Sequence, residues 1–130
     1  MPHVQIDYSP NLEGRLDVAG LCRALRDAAV ETGVLPMAGV RVRATACDHV
    51  VIADGNPEHA FVDVSVRLRG GRDLETRQRA VAHLFAAAEA YCAELMARAP
   101  LALSMEMRDI DPELSPKAGS IRDHLPECDP

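Results

Sequence analysis

The stretch Ala60-Phe61-Val62-Asp63-Val64-Ser65-Val66-Arg67-Leu68, with Gly70-Gly71-Arg72-Asp73-Leu74 behind it, decides the fold. Val62, Val64, Val66 and Leu68 fall on alternate positions, the period of a strand with one buried face. Two glycines end the run, and Asp73 is placed to cap a helix from Leu74 to Ala97. The buried stripe of that helix is expected to include Val81, Leu84, Phe85, Ala88, Tyr91, Cys92 and Leu95. Pro100 breaks it, and Leu101 to Met107 alternates as a closing strand.

Just under sixty residues upstream the same scheme runs once before. His3 to Tyr8 is a first strand with Val4, Ile6 and Tyr8 on one face, and Ser9-Pro10-Asn11 turns the chain. A helix from about Asp17 to Thr32 follows, its Val18, Leu21, Cys22, Leu25, Ala28 and Ala29 at helical spacing and Gly33 as a stop. After Pro36 a strand runs from Val40 to Cys47. Val50-Val51-Ile52 reads as a further extended piece, ended by the turn Asp54-Gly55-Asn56-Pro57. Pro2-His3-Val4 thus stands opposite Ala60-Phe61-Val62 in the repeat.

Two βαβ units, about 1–57 and 58–110, predict an α+β domain over 1–110: a four-stranded mixed sheet with two helices on one face. The other face is expected to carry Val, Leu and Met on alternate positions and so to need the cover of an oligomer. From about Ile110 the periodicity fails. Pro112, Pro116, Pro126 and Pro130 punctuate an acidic C-terminal tail, 111–130, with a short helical turn near Ala118 to His124. Such a tail either frays or docks on a neighbouring subunit.

Composition narrows the function. A net charge of −6 argues against a phosphate-backbone binder, and four aromatic residues make a poor base-stacking platform. No nucleic-acid partner is expected. The chain shows no signal peptide and no transmembrane run, so a cytoplasmic protein without a membrane partner is expected. Cys22, Cys47, Cys92 and Cys128 are dispersed and read as buried free thiols; the five histidines are scattered, and no metal site is expected. Of the fourteen basic residues only Lys117 is lysine. Arginine suits bidentate binding of carboxylates, although a GC-rich genome gives the same bias.

Pro2 is the first candidate for chemistry. A small residue after the initiator permits removal of Met1 and leaves a free secondary amine at the head of a strand. Apolar or cationic surroundings lower the pKa of such an amine toward neutrality, and a neutral amine is a general base. Many ordinary chains also begin Met-Pro. Arg41 and Arg43 share one face of their strand, as do Arg67 and Arg69. Arg72, at a helix start, opposes the helix dipole and needs a compensating partner. Arg23, Arg26, Arg77 and Arg79 read as solvated or ion-paired helix residues, and Asp7 as an exposed strand acid or a group orienting the amine.

Met1-Pro2-His3-Val4, the run Gly33 to Arg43, Ala53-Asp54-Gly55, Ala60-Phe61-Val62, the run Gly71 to Gln78 and Leu101 to Glu106 together resemble the 5-carboxymethyl-2-hydroxymuconate Δ-isomerases. These belong to the tautomerase superfamily of amino-terminal-proline proteins, and the likeness runs from Pro2 to about Leu114. The resemblance implies a tautomerase-like homotrimer with active sites near subunit boundaries. It implies a small anionic dienol or oxo-acid substrate with three carboxylates, met in homoprotocatechuate breakdown, and no cofactor. Pro2 matches the catalytic base; Arg41 and Arg72 match substrate-binding arginines, with Arg43 the near neighbour that competes for the first of these roles. Other readings stay open on sequence alone: a proline tautomerase acting on a simpler enol such as 2-hydroxymuconate, a non-catalytic trimeric binding protein, or a small oligomeric domain without a ligand.

Overall fold

A computed structural model of the chain describes residues 2–126, so Cys128 and Pro130 lie outside the described residues. The elements are β1 (His3–Tyr8), α1 (Val18–Glu31), β2 (Arg41–Ala46), β3 (Ala60–Arg69), α2 (Leu74–Arg98) and β4 (Leu101–Ile110). The strands form one mixed sheet in the order β2-β1-β3-β4. Each half contributes a parallel pair, β1 with β2 and β3 with β4, and the halves join through antiparallel β1 and β3. That junction pairs His3 with Arg67 through to Tyr8 with Val62. Ser9 continues it, donating its N–H to the Phe61 carbonyl at 3.1 Å.

Alternation puts Val4, Ile6, Val62, Val64, Val66 and Leu68 on the helix face, where all six are essentially solvent-free. Leu21, Leu25, Ala28 and Ala29 of α1 close over them, with Leu84, Ala88 and Leu95 of α2. Both helices start at an aspartate: the Asp17 carboxylate accepts from Gly20 N–H at 3.1 Å and Asp73 from Thr76 N–H at 2.8 Å. Gly20 also permits the helices to cross closely. The Tyr91 hydroxyl of α2 donates to the Asp17 carbonyl at 2.7 Å, and a Cβ on Gly20 would collide with that hydroxyl.

Several expectations need correction. The stripe of α2 that is fully buried runs Ala80, Leu84, Ala88, Cys92, Leu95; Val81, Phe85 and Tyr91 flank it and stay partly exposed. Val50-Val51-Ile52 is no strand: it pairs with nothing, and Val51 is 89% exposed. Cys47 lies just past β2, although its N–H still donates to the Tyr8 carbonyl at 2.9 Å. The tail's helical turn is a 3-10 turn confined to Ile121–His124.

The open sheet face is polar, where an apolar one was expected. Register is the reason. Val62 pairs with Leu103 and Val64 with Met105, so the apolar positions of β4 stack on the helix side with those of β3. What remains outside is His3, Gln5, Asp7, Arg41, Arg43, Asp63, Arg67 and Glu106, among others. Apolar cover is therefore no ground for an oligomer here. α2 has the length and hydropathy of a membrane span, but its buried stripe belongs to this core.

Candidate active site

Pro2 stands immediately before β1, and its carbonyl accepts the Arg41 N–H at 3.1 Å. A proline fits there because the first residue of a strand can spare its ladder donor. The ring is fully buried. The site residues of the sequence reading are thereby gathered at one end of the sheet. The starts of β1 and β2 meet there with the ends of β3 and β4, as the pairings of His3 with Arg41 and with Arg67 require.

Arg41 is exposed, with its Nη1 donating to the Gly39 carbonyl at 3.4 Å. It lines a pocket of about 410 Å³ together with Pro36, Ala38 and Gly39 from the loop before β2. Residues of the tail, Lys117 to Gly119 with Ile121 and Arg122, form the opposite wall. Pro2 does not line this pocket; it meets the pocket only through the backbone bond to Arg41.

Arg43 shares the open face with Arg41 but turns to His3, its Nη1 lying 3.2 Å from His3 Nδ1. A guanidinium only donates, so Nδ1 is the acceptor and the imidazole proton sits on Nε2. Burial pushes the His3 pKa below its ordinary value, and Arg67, Arg43 and Arg41 push it the same way. His3 is thus a neutral ring ringed by guanidinium groups, a feature that sequence reading missed. Only the cross-strand register brings Arg67 beside it.

Arg72 does not line the pocket with Arg41. Its Nη2 donates to the Val34 carbonyl at 2.6 Å and its Nη1 to the Arg69 carbonyl at 3.0 Å. Those carbonyls are the compensating partners that its place at a helix start demanded. They tie the end of β3 to the loop that leads to Arg41, and three of the five guanidinium N–H groups stay unassigned. Asp7 accepts from Gln5 Nε2 at 3.2 Å at the far side of the sheet face, away from Pro2. Arg23 pairs with Asp17 at 3.7 Å and Arg26 with Asp27 at 2.6 Å, as expected for surface residues. Arg77 is half-buried, 3.6 Å from Asp109, and among the described residues its Nε has no partner. Among the described residues no group of three His, Cys, Asp or Glu is placed to hold a metal ion.

A sequence profile of the family described as 5-carboxymethyl-2-hydroxymuconate isomerase matches residues 2–125. The chain belongs to that family. It is similar to the 5-carboxymethyl-2-hydroxymuconate Delta-isomerase of Escherichia coli, with 34% identity over 121 residues, 93% of this chain and 96% of that one. A crystal structure of a 5-carboxymethyl-2-hydroxymuconate delta-isomerase superposes with a TM-score of 0.89 at 29% identity, covering 95% of this chain and 92% of the other. The isomerase of this kind from Deinococcus radiodurans R1 gives 0.87 at 26% identity over the same shares. Native fused 4-OT, at a TM-score of 0.66, 20% identity and coverage of 93% and 97%, shares the fold alone. That fold is the tautomerase fold, two βαβ units on one sheet. The family match reaches Leu125, so it takes in the pocket wall that the tail supplies, beyond the point where the sequence likeness had been traced.

Proposed function

We propose that this chain isomerises 5-carboxymethyl-2-hydroxymuconate, with Pro2 as its amino-terminal residue and general base. The observation that carries the reading is the Pro2–Arg41 junction: a buried proline bonded through its backbone to an arginine that opens into a pocket. The role needs a neutral Pro2 amine, and the burial of the proline ring works against the charged form. The substrate's oxo form has a double bond one carbon removed from the oxo-bearing position. The carbon between them, or the hydroxyl of the dienol tautomer, loses a proton to Pro2, both giving one dienolate. The far carbon of the double bond then receives the proton, which consumes the dienol. Between the two steps charge collects on the enolate oxygen, where a fixed guanidinium lowers the barrier most. Arg41 is suited to that role or to a carboxylate, and Arg43 sits one alternate position further along the strand. Arg72 contributes by holding the Val34 carbonyl, with its remaining donors available to a second carboxylate.

No step of this reaction requires a cofactor. We assign the working form as a cytoplasmic homotrimer, in line with a structural relative that is a symmetric trimer. Its place is the breakdown of homoprotocatechuate. The test is an ultraviolet assay that follows loss of the dienol chromophore. Rapid loss with protein that begins at Pro2, slowed by about a hundredfold or more in Pro2→Ala, supports the reading. Equal rates with and without protein would overturn it.

A further inference from the structure

The pocket in front of Arg41 is built by two segments far apart in sequence, the Pro36–Arg41 loop and the Lys117–Arg122 tail. Its lining holds three cations, Arg41, Lys117 and Arg122, and no acid. This is unusual in a chain of net charge −6 with twenty acidic residues. Among the described residues none of the three has a carboxylate within 4.0 Å, whereas Arg23, Arg26, Arg77 and Arg108 each do. No acid of the pocket wall neutralises the cluster. Three like charges around one concave space repel one another, and a bound anion removes that cost. Gly119 lies between the two tail cations, so backbone can also approach a ligand there.

We propose that Lys117 and Arg122 are specificity-determining residues that, with Arg41, hold a carboxylate of a polycarboxylate substrate. The inference rests on the proposed isomerase reading and adds the tail to it. Arg41 joins the two sites, its backbone N–H bonded to the Pro2 carbonyl at 3.1 Å and its residue lining the pocket. A substrate reacting at the proline would therefore extend a distal carboxylate past Arg41 to the tail cations. Among the described residues no hydrogen bond links tail residues 115–125 to the body of the chain, residues 2–110. A carboxylate bridging Arg41 to Lys117 or Arg122 would therefore also fasten the tail down. The sequence pattern hid this role because the tail has no hydrophobic period.

The test compares the full chain with Lys117→Ala/Arg122→Ala in two measurements. In the first, calorimetry with propane-1,2,3-tricarboxylate reads binding without turnover. The double variant is expected to bind about ten- to a hundredfold more weakly, the loss of one or two charge-assisted hydrogen bonds. In the second, KM and kcat are measured for 5-carboxymethyl-2-hydroxymuconate and for 2-hydroxymuconate, which lacks the carboxymethyl group. The variant's KM is expected to rise at least about tenfold more for the first than for the second, with kcat changed less than KM, and Lys117→Arg is expected to restore most of it. Equal binding of the probe by parent and variant would overturn the proposal, as would equal losses on both substrates. If the parent turned over neither substrate, the isomerase reading would fall while the calorimetry still decided the pocket.

Discussion

The two ends of the sheet are copies of one design that differ in what they carry. At one end the Pro2 carbonyl accepts from Arg41 N–H at 3.1 Å; at the other, Ala60 N–H donates to the Pro100 carbonyl at 3.0 Å. Ala60 occupies the position that Pro2 occupies in the first half, and Ala102, paired with Phe61, the position of Arg41, paired with His3. Arg15 precedes α1 much as Arg72 precedes α2, yet it only reaches the Asn11 carbonyl of its own turn at 3.4 Å. The connections differ as well. Residues 32–40 separate α1 from β2, while only Ala99 and Pro100 separate α2 from β4. A duplication thus preserves strand pairing and core at both ends, but the pocket needs the long loop, which only the first half has. Chemistry needs a free amine besides, and an internal Ala60 nitrogen is an amide.

Substitutions matched across the two ends should separate fold from function. Pro2→Ala is expected to lower kcat by about a hundred- to ten-thousandfold with an unchanged circular dichroism spectrum, since it alters the base and trims one buried ring at the strand start while the helix and strand core stays as it is. Its counterpart Ala60→Gly should cost about 0.5–1 kcal/mol of stability in denaturant titration and spare the kcat of the folded fraction. Arg41→Ala is expected to raise KM about ten- to a hundredfold through a lost charge-assisted contact. Arg15→Ala, at the other end, should change KM by less than about twofold. Similar losses from Arg41→Ala and Arg15→Ala would erase the distinction between the ends.

A smaller effect tests what the two halves share. Gly20→Ala should destabilise the fold by about 1–3 kcal/mol, because the new methyl group meets the Tyr91 hydroxyl at the helix crossing. In a Tyr91→Phe background the same change should cost less, a coupling that a double-mutant cycle on denaturant midpoints would read. The smallest effect belongs to His3. Its pKa is depressed in the folded chain, so the unfolded state binds the extra proton first as pH falls below the ordinary 6.5. Stability from the neutral ring is therefore present above that pH and is lost as pH drops toward the folded value. His3→Gln should flatten this part of the thermal-stability profile, leaving the carboxylate-driven loss at lower pH in place.

Much of the fold was legible because periodicity and caps agree. Asp17, Asp73 and Gly33 bracket helices whose stripes pack on the alternating valines of β1 and β3. Register was not legible, and it decides which face the apolar positions of β4 take; the polar open face followed from the Val62–Leu103 pairing. Val50-Val51-Ile52 misled because three apolar residues without alternation can equally lie along an exposed loop. At the proposed site, neither Met-Pro nor the spacing of Arg41 was decisive alone; the family resemblance singled out both, and the structure joins them through the Pro2 carbonyl. Arg72's attachment to Val34 could not be, since it joins residues 38 apart across two loops. Lys117 and Arg122, which line the pocket beside Arg41, were not legible because the tail that carries them has no repeat of its own.

The most direct test of the central claim is the turnover of 5-carboxymethyl-2-hydroxymuconate by two forms of this chain, each checked by intact mass. One begins at Pro2 and the other retains Met1, which turns the Pro2 nitrogen into an amide. The account predicts fast isomerisation by the first and loss of at least about a hundredfold by the second. Equal rates would show that the proline amine is not the base.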